Sequence, residues 1–133
     1  LRMRTQNDSA LRIARFLEAH PKIERVYYPF LESHPHYTIA CEQMIGGGGV
    51  VSFDIKGELR DAKNLLDALE IFSIGPSLGG VESLITHPAM VSYYDYPREE
   101  RYRLGITDTL FRLAVGIEDA DDLIADLDRA LKA

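Results

Sequence analysis

The chain has 133 residues, of which 46% are hydrophobic and 27% charged, an ordinary make-up for one globular domain with a core of its own. Its net charge of −6, with the two signs interspersed, argues against nucleic acid as a partner. No apolar run approaches the roughly 18 residues of a membrane span, and no signal-peptide pattern opens the chain.

Cys41 is the single cysteine, so no internal disulfide can form, which fits a reducing cytoplasm. The first residue is Leu1, and the opening stretch already reads as helix. Both features suggest a piece of a longer polypeptide. In this first helix Ala10, Ile13, Ala14 and Leu17 share one face, and Pro21 ends it. Lys22–Tyr28 is short and β-rich and is closed by Pro29, which predicts an edge or early strand. Tyr37–Met44 predicts a short helix, with Ile39, Ala40 and Met44 as its apolar stripe and Cys41 as inert core or boundary.

Four glycines, Gly46–Gly49, feed Val50–Ile55, where Val51, Phe53 and Ile55 alternate with Ser52 and Asp54 as in a strand. A phosphate-cradling loop runs from strand into helix and carries further signature residues. This run enters a strand and has none of them, so close backbone packing is the better expectation. Leu59, Ala62, Leu65, Leu66 and Leu69 mark a further helix. Ile71–Ile74 reads as a short strand, Met90–Tyr94 as another brief candidate, and Pro97–Glu100 as the start of a short helix stopped by Gly105.

Two stretches stand apart. Ser73–Leu84, SIGPSLGGVESL, has three glycines, one proline and three serines, yet apolar residues thread through it. Gly75-Pro76 and Gly79-Gly80 break regular backbone, and Ser77 sits between them with a hydroxyl and an N–H to offer. Such a turn serves either as a structural corner or as a presenter of donors to an anion. The second is Thr109–Val115, TLFRLAV, a strand with Phe111, Leu113 and Val115 on one side and Arg112 between Leu110 and Ala114 on the other. An arginine among apolar neighbours needs a partner. It reaches solvent along its stem, meets an internal acid such as Glu82, or grips a ligand carboxylate with its fork.

Glu118–Asp122 precedes a last amphipathic helix, where helix capping explains the acids better than metal binding. His34 and His36 lack the companions of a zinc site. Taken together, about four strands and short connections predict an α+β, two-layer sandwich: a small, mostly antiparallel sheet with helices on one face.

The segments LEAHPKIERVYYP at 17–29, SHP at 33–35, GGVVSFDI at 48–55, PSLGGVESLITHPA at 76–89 and GITDTLFRLAVGIEDADDLIADLDRAL at 105–131 together carry a specific resemblance. Almost the whole chain resembles the C-terminal domain of the pyridoxal-phosphate-dependent Cys/Met metabolism enzymes, of fold type I. These include cystathionine γ-synthase, cystathionine γ-lyase, methionine γ-lyase and the homoserine-ester sulfhydrylases. Within that family, PAMVSYYDYPREERYRLGI at 88–106 is most similar to plant-type cystathionine γ-synthases.

The resemblance implies that Ser77 and Arg112 hold the α-carboxylate of an amino-acid substrate, with Ser92, where relatives have threonine, as a weaker candidate. It implies pyridoxal 5'-phosphate as cofactor, bound by an earlier domain that holds the cofactor lysine. Lys22, Lys56, Lys63 and Lys132 have no such motif around them. The chain alone is therefore expected to be inactive, as residues 1–133 of a cytoplasmic, homotetrameric parent that carries out γ-replacement or γ-elimination. Where many bacterial relatives have a glutamate before the S-L-G-G serine, Pro76 stands here, which blurs the substrate. The rival from another class is a stand-alone, non-catalytic domain that binds a small ligand.

Overall fold

The computed structural model describes residues 1–133. The chain runs α1 (Arg2–Ala19), β1 (Ile23–Tyr27), α2 (Tyr37–Gln43), β2 (Val50–Ile55), α3 (Leu59–Ala68), β3 (Ser73–Ile74), β4 (Leu84–Thr86), α4 (Arg98–Arg103), β5 (Leu110–Ala114) and α5 (Ala120–Lys132). The strands form one sheet in the order β1-β2-β5-β4-β3, antiparallel except for the parallel β3–β4 pair. This is the expected α+β sandwich with one strand more than the expected four. The extra strand is β4, which begins at Leu84, the last residue of the glycine-rich stretch.

Strand alternation decides which side is core. Val51, Phe53, Ile85, Phe111 and Leu113 are buried on one face, joined there by Ile13 and Leu17 of α1 and Leu123 and Leu127 of α5. Phe53 and Phe111 lie opposite each other in register and stack at 5.3 Å. Burying each such side chain contributes roughly 1.5–3 kcal/mol. The helices α1 and α5 close this layer and α3 packs on α5. The other face is covered by loops rather than by α1, α3 or α5.

Helix ends follow local chemistry. The side chain of Asp119 accepts the N–H groups of Asp121 and Asp122, and Arg129 and Lys132 sit near the negative end of α5. Glu58 and Asp61 form a reciprocal capping box on α3. The four-glycine run packs closely, as expected: Tyr28 donates to the Gly48 carbonyl at 2.9 Å, and Asn7 accepts the Gly48 N–H at 2.8 Å. Gly48 takes φ +82°, where a Cβ is strained. Burial, with a smaller contribution from the charge of Asp8, pushes the Tyr28 phenol up to about 12.

Three expectations are corrected. Met90–Tyr94 forms no strand but successive turns, because Pro88 ends the extended run and its carbonyl accepts the N–H groups of Val91, Ser92 and Tyr93. In α2 only Ala40 is buried, while Ile39 and Met44 are exposed. Cys41 is likewise exposed rather than core or boundary, since one short helix cannot cover its whole stripe.

Candidate functional site

The parallel β3–β4 pair has a topological consequence. Ser73 aligns with Leu84 and Ile74 with Ile85, so residues 75–83 must travel back along the strand before β4 begins. They do so over the Thr86 and Arg112 side of the sheet, away from the Phe53 and Phe111 core. Thr86 Oγ1 donates to the Gly75 carbonyl at 2.7 Å, and Arg112 Nη2 donates to the Ser77 carbonyl at 2.9 Å. Ser52, Arg112 and Thr86 are register partners across β2, β5 and β4, so all three share that side.

The loop conformation comes from its own residues. Ser77 Oγ accepts the N–H groups of Gly79 and Gly80, each at 3.2 Å, and Gly79 takes φ +103°. Ser77 is half-buried, whereas Leu78 between the two breaks is fully exposed. Beyond Gly80 the chain is fastened to the end of β5. The Val81 carbonyl accepts the Ile117 N–H, Ser83 Oγ accepts the Gly116 N–H, and Glu118 accepts both the N–H and the hydroxyl of Ser83.

Arg112 is half-buried on the central strand. None of the seven ion pairs of the chain includes it, and the exposed Glu82 is no partner. Its one hydrogen bond goes to a neutral carbonyl, which leaves four of the five guanidinium donors uncommitted. A charged fork held at one corner and open elsewhere suits a planar anion. Ser77 and Arg112 are thus brought together. Ser92 is not joined to them: it is exposed in the turn after β4, and its backbone N–H donates to the Pro88 carbonyl.

Next to this stretch His87 is buried, packs edge-on against Phe111 at 5.1 Å, and donates from Nε2 to the Asp108 carbonyl at 3.0 Å. Its Nδ1 has no partner. Burial pushes its pKa below the ordinary histidine value, and the nearby Arg101 adds to that. Asp108 is held by Arg98 and Arg101, each at 2.8 Å. Burial alone would raise its pKa, but these partners hold it below the usual carboxylate range.

Sequence reasoning missed Gln6. It is buried, and its Nε2 donates to the Gly80 carbonyl at 2.7 Å. A signal was present: positions 6, 10, 13 and 17 lie on one helical stripe, and position 6 alone on it is an amide.

A family profile described as Cys/Met metabolism PLP-dependent enzyme matches residues 1–132. The chain belongs to this family. It is 50% identical to "Cystathionine gamma-synthase 1, chloroplastic" of Arabidopsis thaliana over all of its length and 24% of that relative's. It is 49% identical to the cystathionine gamma-lyase of Dictyostelium discoideum, over 98% of this chain and 34% of the relative. It is 47% identical to the L-methionine gamma-lyase of Fusobacterium nucleatum subsp. polymorphum, over 99% of this chain and 33% of the relative. The chain therefore spans a quarter to a third of these relatives. Such similar identities to proteins of three different names do not choose among them.

Membership implies pyridoxal phosphate as the family cofactor. The lysines of this chain do not fit its attachment. Lys56 donates to the Pro21 carbonyl and Lys132 pairs with Asp128. Lys22 and Lys63 line clefts beside α3, and no lysine is bonded to Ser77 or Arg112.

Proposed function

We propose that this chain is the substrate-carboxylate-binding domain of a pyridoxal-phosphate-dependent trans-sulfuration enzyme, of the cystathionine γ-synthase kind. The cofactor, carried by another part of the same polypeptide, supplies an electron sink for carbanion chemistry. This domain grips and orients the amino acid. One observation carries the reading: Arg112 stands on the central strand, half-buried and without an acidic partner, bonded to the S-L-G-G loop through the Ser77 carbonyl. A carboxylate taken by its free donors fixes the plane of the substrate, and orientation of this kind lowers the barrier to reaction.

The reaction in view is γ-replacement on a homoserine ester with cysteine. The γ-lyases and sulfhydrylases are the neighbouring alternatives. Pro76 beside Ser77 offers no anion to a distal ammonium. Pro76→Glu in the full-length enzyme is therefore expected to raise kcat/KM for cystathionine relative to methionine.

The test compares amino-acid ligands with their carboxamides on the full-length, cofactor-loaded protein. The acid binds much more tightly than the amide to the parent, and Arg112→Met removes that preference. Equal binding of acid and amide by the parent overturns the reading. It would leave a non-catalytic ligand-binding or interaction domain as the better account of the fold.

A further inference from the structure

We infer that Gln6 of α1 is a positioning residue for the carboxylate grip, acting on Arg112 through the S-L-G-G loop; this rests on the carboxylate reading above. Gln6 is 1% exposed, on the stripe that Ala10, Ile13 and Leu17 continue. An apolar side chain would satisfy the packing at that position. A buried amide there is costly unless its hydrogen bonds are made. Its Nε2 makes one, to Gly80 at 2.7 Å.

The Gly80 peptide group is consequently held from two sides. Its N–H donates to Ser77 Oγ at 3.2 Å, and its C=O accepts a hydrogen bond from Gln6 Nε2 at 2.7 Å. Ser77 in turn presents its own carbonyl to Arg112 Nη2 at 2.9 Å. The connection is continuous: Gln6 to Gly80, Gly80 to Ser77, Ser77 to the guanidinium. Leu78, at the tip of the loop, is wholly exposed and packs against nothing. The neighbouring Asn7 fixes the Gly48 N–H at 2.8 Å, so one turn of α1 secures two glycine loops at the same end of the sheet. Removing the amide proton frees the Gly80 carbonyl and lets the loop carry Ser77 away from Arg112.

The experiment uses the full-length, cofactor-loaded protein and measures kcat and KM separately, with Arg112→Lys in parallel. Gln6→Leu keeps the volume and loses the donor. Its KM is expected to rise about 3- to 10-fold with kcat nearly unchanged, the mark of weakened binding rather than lost chemistry. Gln6→Glu adds a readout that packing would not give. Its ionised carboxylate opposes the Gly80 carbonyl and its protonated form can donate to it, so its KM is expected to fall towards the parent's as pH is lowered. If Arg112→Lys weakens binding and neither Gln6 variant does, the inference is wrong and the carboxylate reading stands. If Arg112→Lys leaves binding intact, both are overturned. Should Gln6→Leu fail to fold, the pH profile of Gln6→Glu decides alone: a KM that follows the parent's at every pH overturns the inference.

Discussion

Glu118 takes both polar groups of Ser83: Oε1 accepts its N–H and Oε2 its hydroxyl, each at 2.7 Å. Ser83 is buried immediately before β4, and its hydroxyl also accepts the Gly116 N–H at 2.8 Å. One carboxylate therefore fixes the return end of the loop that carries Ser77. Glu118→Ala is expected to leave a buried N–H without an acceptor, at a cost of about 1–3 kcal/mol. Thermal unfolding checks this, each kcal/mol corresponding to roughly 2–8 °C in Tm. Glu118→Gln keeps one acceptor and is expected to fall between the two, and an unchanged Tm in Glu118→Ala would remove the clamp.

His87 predicts an acid-sensitive fold. Burial lowers its folded-state pKa, so the folded protein holds it neutral while the unfolded chain takes up a proton near the ordinary value of about 6.5. Below that pH the unfolded state binds more protons than the folded one. Stability is therefore complete above about pH 6.5 and declines as pH falls from there towards the depressed folded value. Asp108, also depressed, acts in a lower window, its contribution being lost only as pH falls below the ordinary carboxylate range. Urea midpoints are expected to be nearly equal at pH 8 and 6.5 and to be lower at pH 5. In His87→Gln the decline between pH 6.5 and 5 is expected to flatten, and a parent-like decline in that variant would assign the effect to other groups.

Much of this architecture is written in periodicity. The stripe of α1, the alternation in Val50–Ile55 and the apolar face of Phe111, Leu113 and Val115 are repeated local patterns, and their apolar residues are buried as the spacing predicts; Asp54, on the polar side of the second, is buried as well, where it accepts from Tyr27 and Thr107. The misses are non-local. Leu84–Thr86 pairs with β5 by register, across more than twenty residues of intervening chain, and three residues are too few for alternation to show. Met90–Tyr94 has strand-like composition, but the Pro88 carbonyl collects its N–H groups first. At the site, the sequence marked Ser77 and Arg112 by residue type in an unusual context. It could not reveal that Arg112 meets the Ser77 backbone rather than Glu82, because a carbonyl has no residue signature. Glu118 looked like one cap among several acids, whereas Asp119 caps and Glu118 reaches to Ser83.

Asp126 illustrates the same limit and gives a further prediction. It is buried, and its carboxylate accepts the N–H groups of Glu70, Ile71 and Phe72 at 2.9, 2.9 and 3.2 Å, with Arg129 as its charged partner. These bonds tie the turn from α3 into β3 onto α5. Asp126→Ala leaves three N–H groups without their acceptor, while Arg129 keeps Glu70 and the Ala68 carbonyl. The expected loss is at least about 1–3 kcal/mol, the cost of leaving the buried Phe72 N–H unsatisfied, with the two neighbouring N–H groups adding to it. Hydrogen exchange at residues 70–72 is the local measure, and protection unchanged there would show that the turn is held by other means.

Arg112→Lys separates a ligand-binding arginine from a structural one. The guanidinium spends one donor on Ser77 and keeps the others, so a single group serves the loop and a carboxylate together. Lysine keeps the charge but has a single nitrogen, which cannot hold the Ser77 carbonyl and present a planar fork at the same time. Arg112 makes no ion pair within the chain, so the substitution leaves no buried acid behind. Tm is accordingly expected to change little. Binding of the carboxylate is expected to lose about 2–3 kcal/mol, which is roughly 30- to 150-fold in kcat/KM of the full-length enzyme. Both quantities come from one preparation. A lowered Tm with kcat/KM of the folded fraction intact would make Arg112 a support for the loop alone, its bond to the Ser77 carbonyl being its whole purpose.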